Sequence, residues 1–333
     1  MRAMYPKAHI VTCSTSGEIF GNNVFDETIS LTASLFEKTE VKVASMTIKG
    51  AAHSFSAGVS LAKQLSTPDL CHIILISDGL NVNGTDLVRG IASGVPKGVT
   101  CTGGLAGDAS RFERTLVGVD APPSEKCIVA LGLYSNSLKV GYGSVGGWDT
   151  FGAERLVTRS EGNVLYELDG ESALNLYKMY LGDKAKELPS SALLFPLGMK
   201  FGDDSETIVR TVLAVSEENQ SMTFAGDIPE GSYVRLMKAN FDKLIDGANL
   251  AAEQTSGNGA KDGERLAILI SCVGRKLILG HRINEEVDAV RDVLGKETVI
   301  TGFYSYGEIS PVVERATCSL HNQTMTITTL AEV

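Results

Sequence analysis

The chain has 333 residues, 43% of them apolar and 21% charged, which is enough for two domains with sizeable cores. A formal net charge of −10 argues against nucleic acid or an anionic membrane surface as the main partner. No apolar run reaches the roughly 20 residues that span a bilayer, no secretory signal opens the chain, and the cysteines form no C-x-x-C pair, so the reading is a cytoplasmic protein with reduced thiols.

Residues 28–36 and 41–48 alternate apolar and polar side chains and are rich in β-branched residues, which predicts two strands. Residues 51–65 carry Phe55, Val59, Ala62 and Leu65 at helical spacing, with Pro68 beyond them. Residues 73–77 read as a buried strand. Asn83 or Thr85 caps a helix through Leu87, Val88 and Ile91, and Gly94 and Pro96 end it. Strands are expected at 115–119, 127–134 and 138–142. Gly141-x-Gly143-x-x-Gly146 matches the dinucleotide fingerprint in letters, but no helix start follows, so it reads as a bend at a sheet corner. Beyond it come a helix over 171–181 ended by Gly182, and strands at 191–195, 208–215, 222–224 and 233–237. A helix over 241–254, a connector over 256–263 and a strand over 266–272 follow. Asn284 caps the next helix, and two or three strands close the chain at Leu330. This mixture predicts an α+β, mixed-sheet fold.

Two short sequences recur. Gly17-Glu18-Ile19 returns as Gly307-Glu308-Ile309, and Ile74-Leu75-Ile76-Ser77 returns as Ile268-Leu269-Ile270-Ser271. After each of the latter comes a helix-like stretch, then a strand with glycine at its end, at Gly103-Gly104 and at Gly302. The shared order predicts two related halves around a cleft, residues 1–160 and 161–333, built from repeated strand–helix–strand units. The first Gly-Glu-Ile copy has no strand and helix ahead of it, so the chain reads as beginning inside its own repeat.

The chain has no Walker loop, no Gly-x-Ser-x-Gly elbow and no histidine pair at zinc spacing. Tyr304 and Tyr306 alternate along a predicted strand, so they are expected on one face, lining a pocket or packing across strands. His321 lies among amide and hydroxyl side chains in residues 318–326. It belongs either to a hairpin that satisfies its own backbone, or to a site where it serves a small polar ligand or the iron of haem. The expected ligand site is Gly302, Tyr304, Tyr306, Glu308 and His321, with Cys272 and Arg275 nearby. Arg275 is placed to pair with a carboxylate of an amino acid or a haem propionate.

Seven segments in order resemble the FIST family, sensory proteins with a FIST N and a FIST C half. They are residues 13–19 (CSTSGEI), 103–108 (GGLAGD), 144–148 (SVGGW), 168–177 (LDGESALNLY), 267–275 (AILISCVGR), 302–309 (GFYSYGEI) and 320–324 (LHNQT). The resemblance implies a further strand and helix before Cys13-Ser14-Thr15. It implies a small-ligand sensor of the stand-alone type, acting in trans on a histidine kinase or a cyclic-di-nucleotide enzyme. One branch of the family binds haem and responds to nitric oxide, which makes haem b a candidate cofactor and His321 its candidate ligand. The alternative is an enzyme on the same scaffold acting on an amino-acid-like substrate.

Overall fold

The structure is a computed structural model that describes residues 2–188, 190–200, 207–256, 265–311 and 318–333. The connector expected over 256–263 lies, from residue 257 onward, outside the described residues. The first part of the chain contains β1 (Val11–Cys13), β2 (Glu18–Phe20), β3 (Asn23–Phe25), β4 (Glu40–Thr47), α1 (Ser54–Leu65), β5 (Leu70–Ser77), α2 (Gly84–Gly94), β6 (Thr100–Leu105), β7 (Val117–Val119), β8 (Cys127–Tyr134) and β9 (Leu138–Val145). The middle holds β10 (Asp149–Glu161), β11 (Val164–Leu168), β12 (Glu171–Ser172), α3 (Ala173–Leu181), β13 (Leu197–Lys200), β14 (Ile208–Arg210), β15 (Val212–Ser216), β16 (Ser221–Phe224) and β17 (Tyr233–Lys238). The last part contains α4 (Phe241–Thr255), β18 (Arg265–Cys272), α5 (Val273–Leu279), α6 (Ile283–Leu294), β19 (Thr298–Ser305), β20 (Gly307–Pro311), β21 (Cys318–His321) and β22 (Met325–Glu332).

Two six-stranded mixed sheets form the centre. One has the order β21-β20-β6-β5-β8-β4 and the other β3-β2-β19-β18-β22-β9. The two repeated Ile-Leu-Ile-Ser runs occupy the same seat in each, as β5 and β18. Each is parallel to the strand on one side, β6 or β19, and antiparallel to the strand on the other, β8 or β22. The runs are continuously apolar because both faces are buried. Ile73 and Leu75 pack under α1 and α2, while Ile74 and Ile76 face the opposite sheet. Ala267 and Leu269 pack under α4 and α6, while Ile268 and Ile270 face back. The result is four layers, helix–sheet–sheet–helix.

The sheets exchange strands at the Gly-Glu-Ile copies. β2 follows β1 in the chain but pairs with β19, whereas β20 follows β19 but pairs with β6. The fingerprint-like glycines belong to packing. A Cβ at Gly141 or Gly143 would stand 2.3 or 2.0 Å from a carbonyl of Thr255 or Ala251, so they let α4 lie flush on β9, and one at Gly146 would stand 2.6 Å from the Trp148 ring.

Residues 149–238, between β9 and α4, build a separate sheet around α3 with its own core of Leu165, Leu174, Tyr177, Phe224 and Leu236. β10 runs through the expected division at residues 160 and 161. Arg210 ties this part to the central sheets. It is 3% exposed and donates to the carbonyls of Asp227, at 3.1 Å, and Leu320, at 3.1 Å.

Three local expectations are corrected. Residues 28–36 are not a strand: no sheet edge reaches them, and a strand without a ladder is not one. Residues 191–195 fall on a 3-10 turn, Ser190–Leu194, rather than a strand. Asn284 does not cap α6, which starts after Arg282. Its side-chain oxygen accepts from the Val24 amide and fastens β3 to the helix.

Candidate functional site

β1, β6 and β19 each lead through one to three residues to a glycine followed by an acid: Gly17-Glu18, Gly107-Asp108 and Gly307-Glu308. The turns meet. The Gly107 amide donates to the Ser14 carbonyl at 3.1 Å, Ser16 to Tyr304 at 2.8 Å, Tyr304 to Gly17 at 2.8 Å and Tyr306 to Leu105 at 3.1 Å. A Cβ on Gly107 would stand 2.2 Å from the Ser16 hydroxyl, so only glycine permits this approach.

Glu18 and Glu308 are held in the same way. Glu18 accepts from the Thr15 hydroxyl three residues earlier at 2.5 Å, and from the Thr28 amide and hydroxyl at 3.2 and 2.6 Å. Glu308 accepts from the Ser305 hydroxyl, again three residues earlier, at 2.6 Å, and from the Thr324 amide and hydroxyl at 3.2 and 3.0 Å. Complete burial lifts the Glu308 carboxyl to about 8 in spite of these bonds, so it is mostly neutral at pH 7. Asp108 takes the opposite state. Burial pushes it up, but bonds from the Tyr306 hydroxyl and the amides of Phe112, Glu113 and Arg114 outweigh that and hold it below its ordinary value.

A cleft of about 900 Å³ opens from this junction. Its polar end is formed by residues 14–18 with Asp26, Glu27, Thr28 and Arg111. Its apolar end runs along β1 over Leu266, Ile268 and Phe303, which belong to the inner face of the second sheet. The segment after β3 crosses it. That segment is fixed at one end by Thr28 on Glu18 and midway by the Thr32 hydroxyl on Thr301 at 2.7 Å. At the far end the amides of Glu37 and Lys38 donate to the Glu332 carboxylate at 2.8 and 2.9 Å.

The expected site residues are divided among different surroundings. Gly302 lines the cleft, yet the direction of its absent Cβ is occupied by the Leu269 carbonyl, 1.8 Å away. Tyr304 and Tyr306 do not share a face, because the chain passes from one sheet to the other between them. Tyr304 lies beneath α6 with its hydroxyl on Glu286 at 2.6 Å, and Tyr306 stacks on Phe112 at 4.6 Å and donates to Asp108. Arg275 is completely buried and its donors are used within the chain. It reaches Glu286 at 2.8 Å, the Gly146 carbonyl at 2.5 Å and the Leu244 carbonyl at 2.6 Å, so it holds α5 against α4 and α6. Cys272 and Glu308 are brought together, close enough for the Glu308 charge to act on the thiol.

Burial and neighbouring carboxylates push both Cys13, to about 12, and Cys272 upward, so neither is an activated nucleophile. His321 is paired with Glu308 across the β20–β21 hairpin, and its Nε2 lies 3.2 Å from the Ser310 carbonyl. Burial and then the Arg210 charge lower it to about 4, which keeps the ring neutral. Haem does not fit these residues as they stand. The neutral ring is directed at a carbonyl, and among the described residues no histidine lines the cleft.

The expected ligand site took in the second Gly-Glu turn but not its recognised twin at Gly17-Glu18. The repeat itself was the signal that would have added Glu18 and, three residues before it as Ser305 is before Glu308, Thr15, whereas Thr28 and Thr324 lie 10 and 16 residues beyond their acids and share no spacing. Asn322 and Gln323 stood out only as neighbours of His321. Both are completely buried, and all four of their amide atoms are without a hydrogen-bond partner among the described residues.

Residues 1–171 match the family model of the FIST N domain and residues 173–311 that of the FIST C domain. The uncharacterized protein MJ1623 of Methanocaldococcus jannaschii is 29% identical over 235 residues, which cover 62% of this chain and 44% of that protein. The chain thus spans less than half the length of that relative. A crystal structure of a cyanuric acid hydrolase from A. caulinodans aligns with 88% of this chain and 99% of its own at 11% identity and a TM-score of 0.19, a likeness too slight to carry an argument.

Proposed function

Because the chain belongs to the FIST family, whose domains are small-ligand sensors in signal transduction, we propose that it senses a small zwitterion of the amino-acid type at the polar end of the cleft. The observation that carries this reading is the cleft itself, which runs into the turn at the end of β1, beside Ala109 and Arg111, and has a volume within the range of small-molecule sites. Its lining supplies a guanidinium, Arg111, for a carboxylate and the carboxylates of Asp26 and Glu27 for an ammonium. Asp26 already pairs with Lys276, which leaves Glu27 as the more available partner. The apolar end suits the side chain. Occupancy would pull on the segment over residues 26–34 and, through Glu18 and β2, on the second sheet. The signal passes in trans to a histidine kinase or a cyclic-di-nucleotide enzyme.

The test is calorimetric titration of the protein with the common amino acids and with their amides and decarboxylated amines. At least one amino acid is expected to bind, and Arg111→Ala is expected to weaken it by about tenfold or more. Heats no larger than dilution for the whole set, or binding indifferent to Arg111→Ala, would count against the reading.

A further inference from the structure

Cys101 stands near the start of β6 and Cys318 opens β21, in one sheet with β20 between them. Strands two places apart in a flat sheet are about 9.5 Å from one another. β21 nevertheless comes within 8 Å of β6, Cα to Cα. The ladders show where. β20 pairs with β6 only from Gly307–Leu105 to Ile309–Gly103, whereas its ladder with β21 continues to Pro311–Cys318. Beyond Gly103 the place beside β6 is taken by the start of β21. The Cys318 thiol donates to the Cys101 carbonyl at 2.8 Å, and the two side chains are within hydrogen-bond reach of each other.

The two thiols differ in access. Cys101 is 2% exposed, and the bond with Cys318 and then burial raise its thiol well above the ordinary value. Cys318 is only partly buried, so it is the one that a solute reaches first. The strand that it opens is also a joint. Two residues on, the Leu320 carbonyl receives Arg210 from the middle part of the chain, and His321 is paired with Glu308.

We propose that Cys101 and Cys318 are a reversible redox pair, closed by a low-molecular-weight disulfide of the glutathione type, so that oxidation pins β21 to β6. The Cys318 thiolate attacks one sulfur of the oxidant, whose S–S bond breaks, and one glutathione leaves as the thiol. The Cys101 sulfur then attacks Cys318 Sγ in the mixed disulfide, and the second glutathione leaves as the thiol. Two protein S–H bonds are lost and one S–S bond forms. The two protons and two electrons end on the two molecules of glutathione. A disulfide needs Cα atoms about 4.4–6.8 Å apart, which the approach of β21 to β6 brings within reach. The closed pair fixes the Leu320 carbonyl in front of Arg210 and so stiffens the joint with residues 149–238. The inference goes beyond the ligand reading and does not rest on it, since neither cysteine lines the cleft.

The test is incubation of the folded protein with oxidised glutathione, followed by intact-mass and peptide-mass measurement. The parent is expected to lose two hydrogens and to yield a linked peptide containing Cys101 and Cys318, and dithiothreitol is expected to restore both thiols. Cys101→Ala is expected to stop at a stable glutathione adduct on Cys318, and Cys318→Ala to leave Cys101 unmodified. In the oxidised parent, amide exchange at Leu320 and His321 is expected to slow about tenfold or more. A folded parent in which the pair stays reduced at every ratio of oxidised to reduced glutathione, or links only once urea is added, would overturn the proposal. Unchanged exchange at Leu320 and His321 in the linked protein would overturn its effect on the joint.

Discussion

At the scale of single residues, the central junction mixes well-satisfied and unsatisfied polar groups. Glu18, Asp108 and Glu308 each accept at least three hydrogen bonds. Gln323 accepts from Trp148 Nε1 at 2.9 Å through its backbone carbonyl, but its side-chain amide lies against Gly274 with neither atom bonded among the described residues. A buried amide without partners costs about 1–3 kcal/mol. Gln323→Met keeps the volume and removes that cost, so it is expected to raise stability by on the order of 1 kcal/mol in urea unfolding. A clear loss of stability would mean that the amide is satisfied in solution. Arg275 shows the opposite limit. The sequence marked it as a cation free for a ligand, whereas it is an internal strut. Nothing local distinguishes the two roles, since the partner, Glu286, is 11 residues away and on another helix.

At the scale of elements, glycine decides how the strands meet. A Cβ on Gly103 would stand 1.9 Å from the Leu75 carbonyl, and Gly103 also has φ +149°. A Cβ on Gly302 would stand 1.8 Å from the Leu269 carbonyl. These are equivalent places in the two sheets, where β6 and β19 press against β5 and β18. Gly103→Ala and Gly302→Ala are each expected to cost more than about 3 kcal/mol, because backbone on both sides must move. Gly50→Ala, with nothing within 4 Å, is the control and is expected to stay within about 0.5 kcal/mol. Equal stability of all three variants would show that the sheets can absorb the added methyl. Most helices were legible, because spacing and caps are local: Asn83 caps α2 and Ser172 caps α3 through their own side chains. Residues 28–36 were misread for the converse reason. Their pattern is that of a strand, but a strand exists only where another edge meets it.

At the scale of the molecule, buried titratable groups shape stability against pH. Burial lowers His72 to about 3 and His321 to about 4, from an ordinary 6.5, so the unfolded chain takes up two protons that the folded chain refuses as pH falls below 6.5. Glu308, lifted from 4.5 to about 8, acts with the opposite sign. The folded chain keeps a proton that the unfolded chain releases, so stability falls as pH rises through that interval. Below 6.5 the two histidines outweigh the one carboxyl, and above it Glu308 acts alone. Thermal melts are expected to peak near pH 6.5 and to decline toward pH 8 with a slope of at most about 1.4 kcal/mol per pH unit. Glu308→Gln is expected to flatten the alkaline side and leave the acid side in place. A melting temperature that rises steadily from pH 6.5 to 8 would show that Glu308 is ionised throughout.

Among the described residues no helix is long and apolar enough to cross a membrane, and the cysteines are free thiols. The mixed α/β class, most helix positions and the existence of a repeated unit were all present in the amino-acid order, because periodicity, caps and recurring tripeptides are short-range properties. The pairing of β2 with the late strand β19, and of β20 with the early strand β6, was not. Nor was the parting of Tyr304 from Tyr306. Both depend on hydrogen bonds between segments nearly 200 residues or more apart, which no local pattern records. The cleft belongs with them, since its walls come from residues 11–18, 26–32 and 34, from Ala109 and Arg111, from Leu266 and Ile268 and from residues 301–303, which become neighbours only when the two sheets stack.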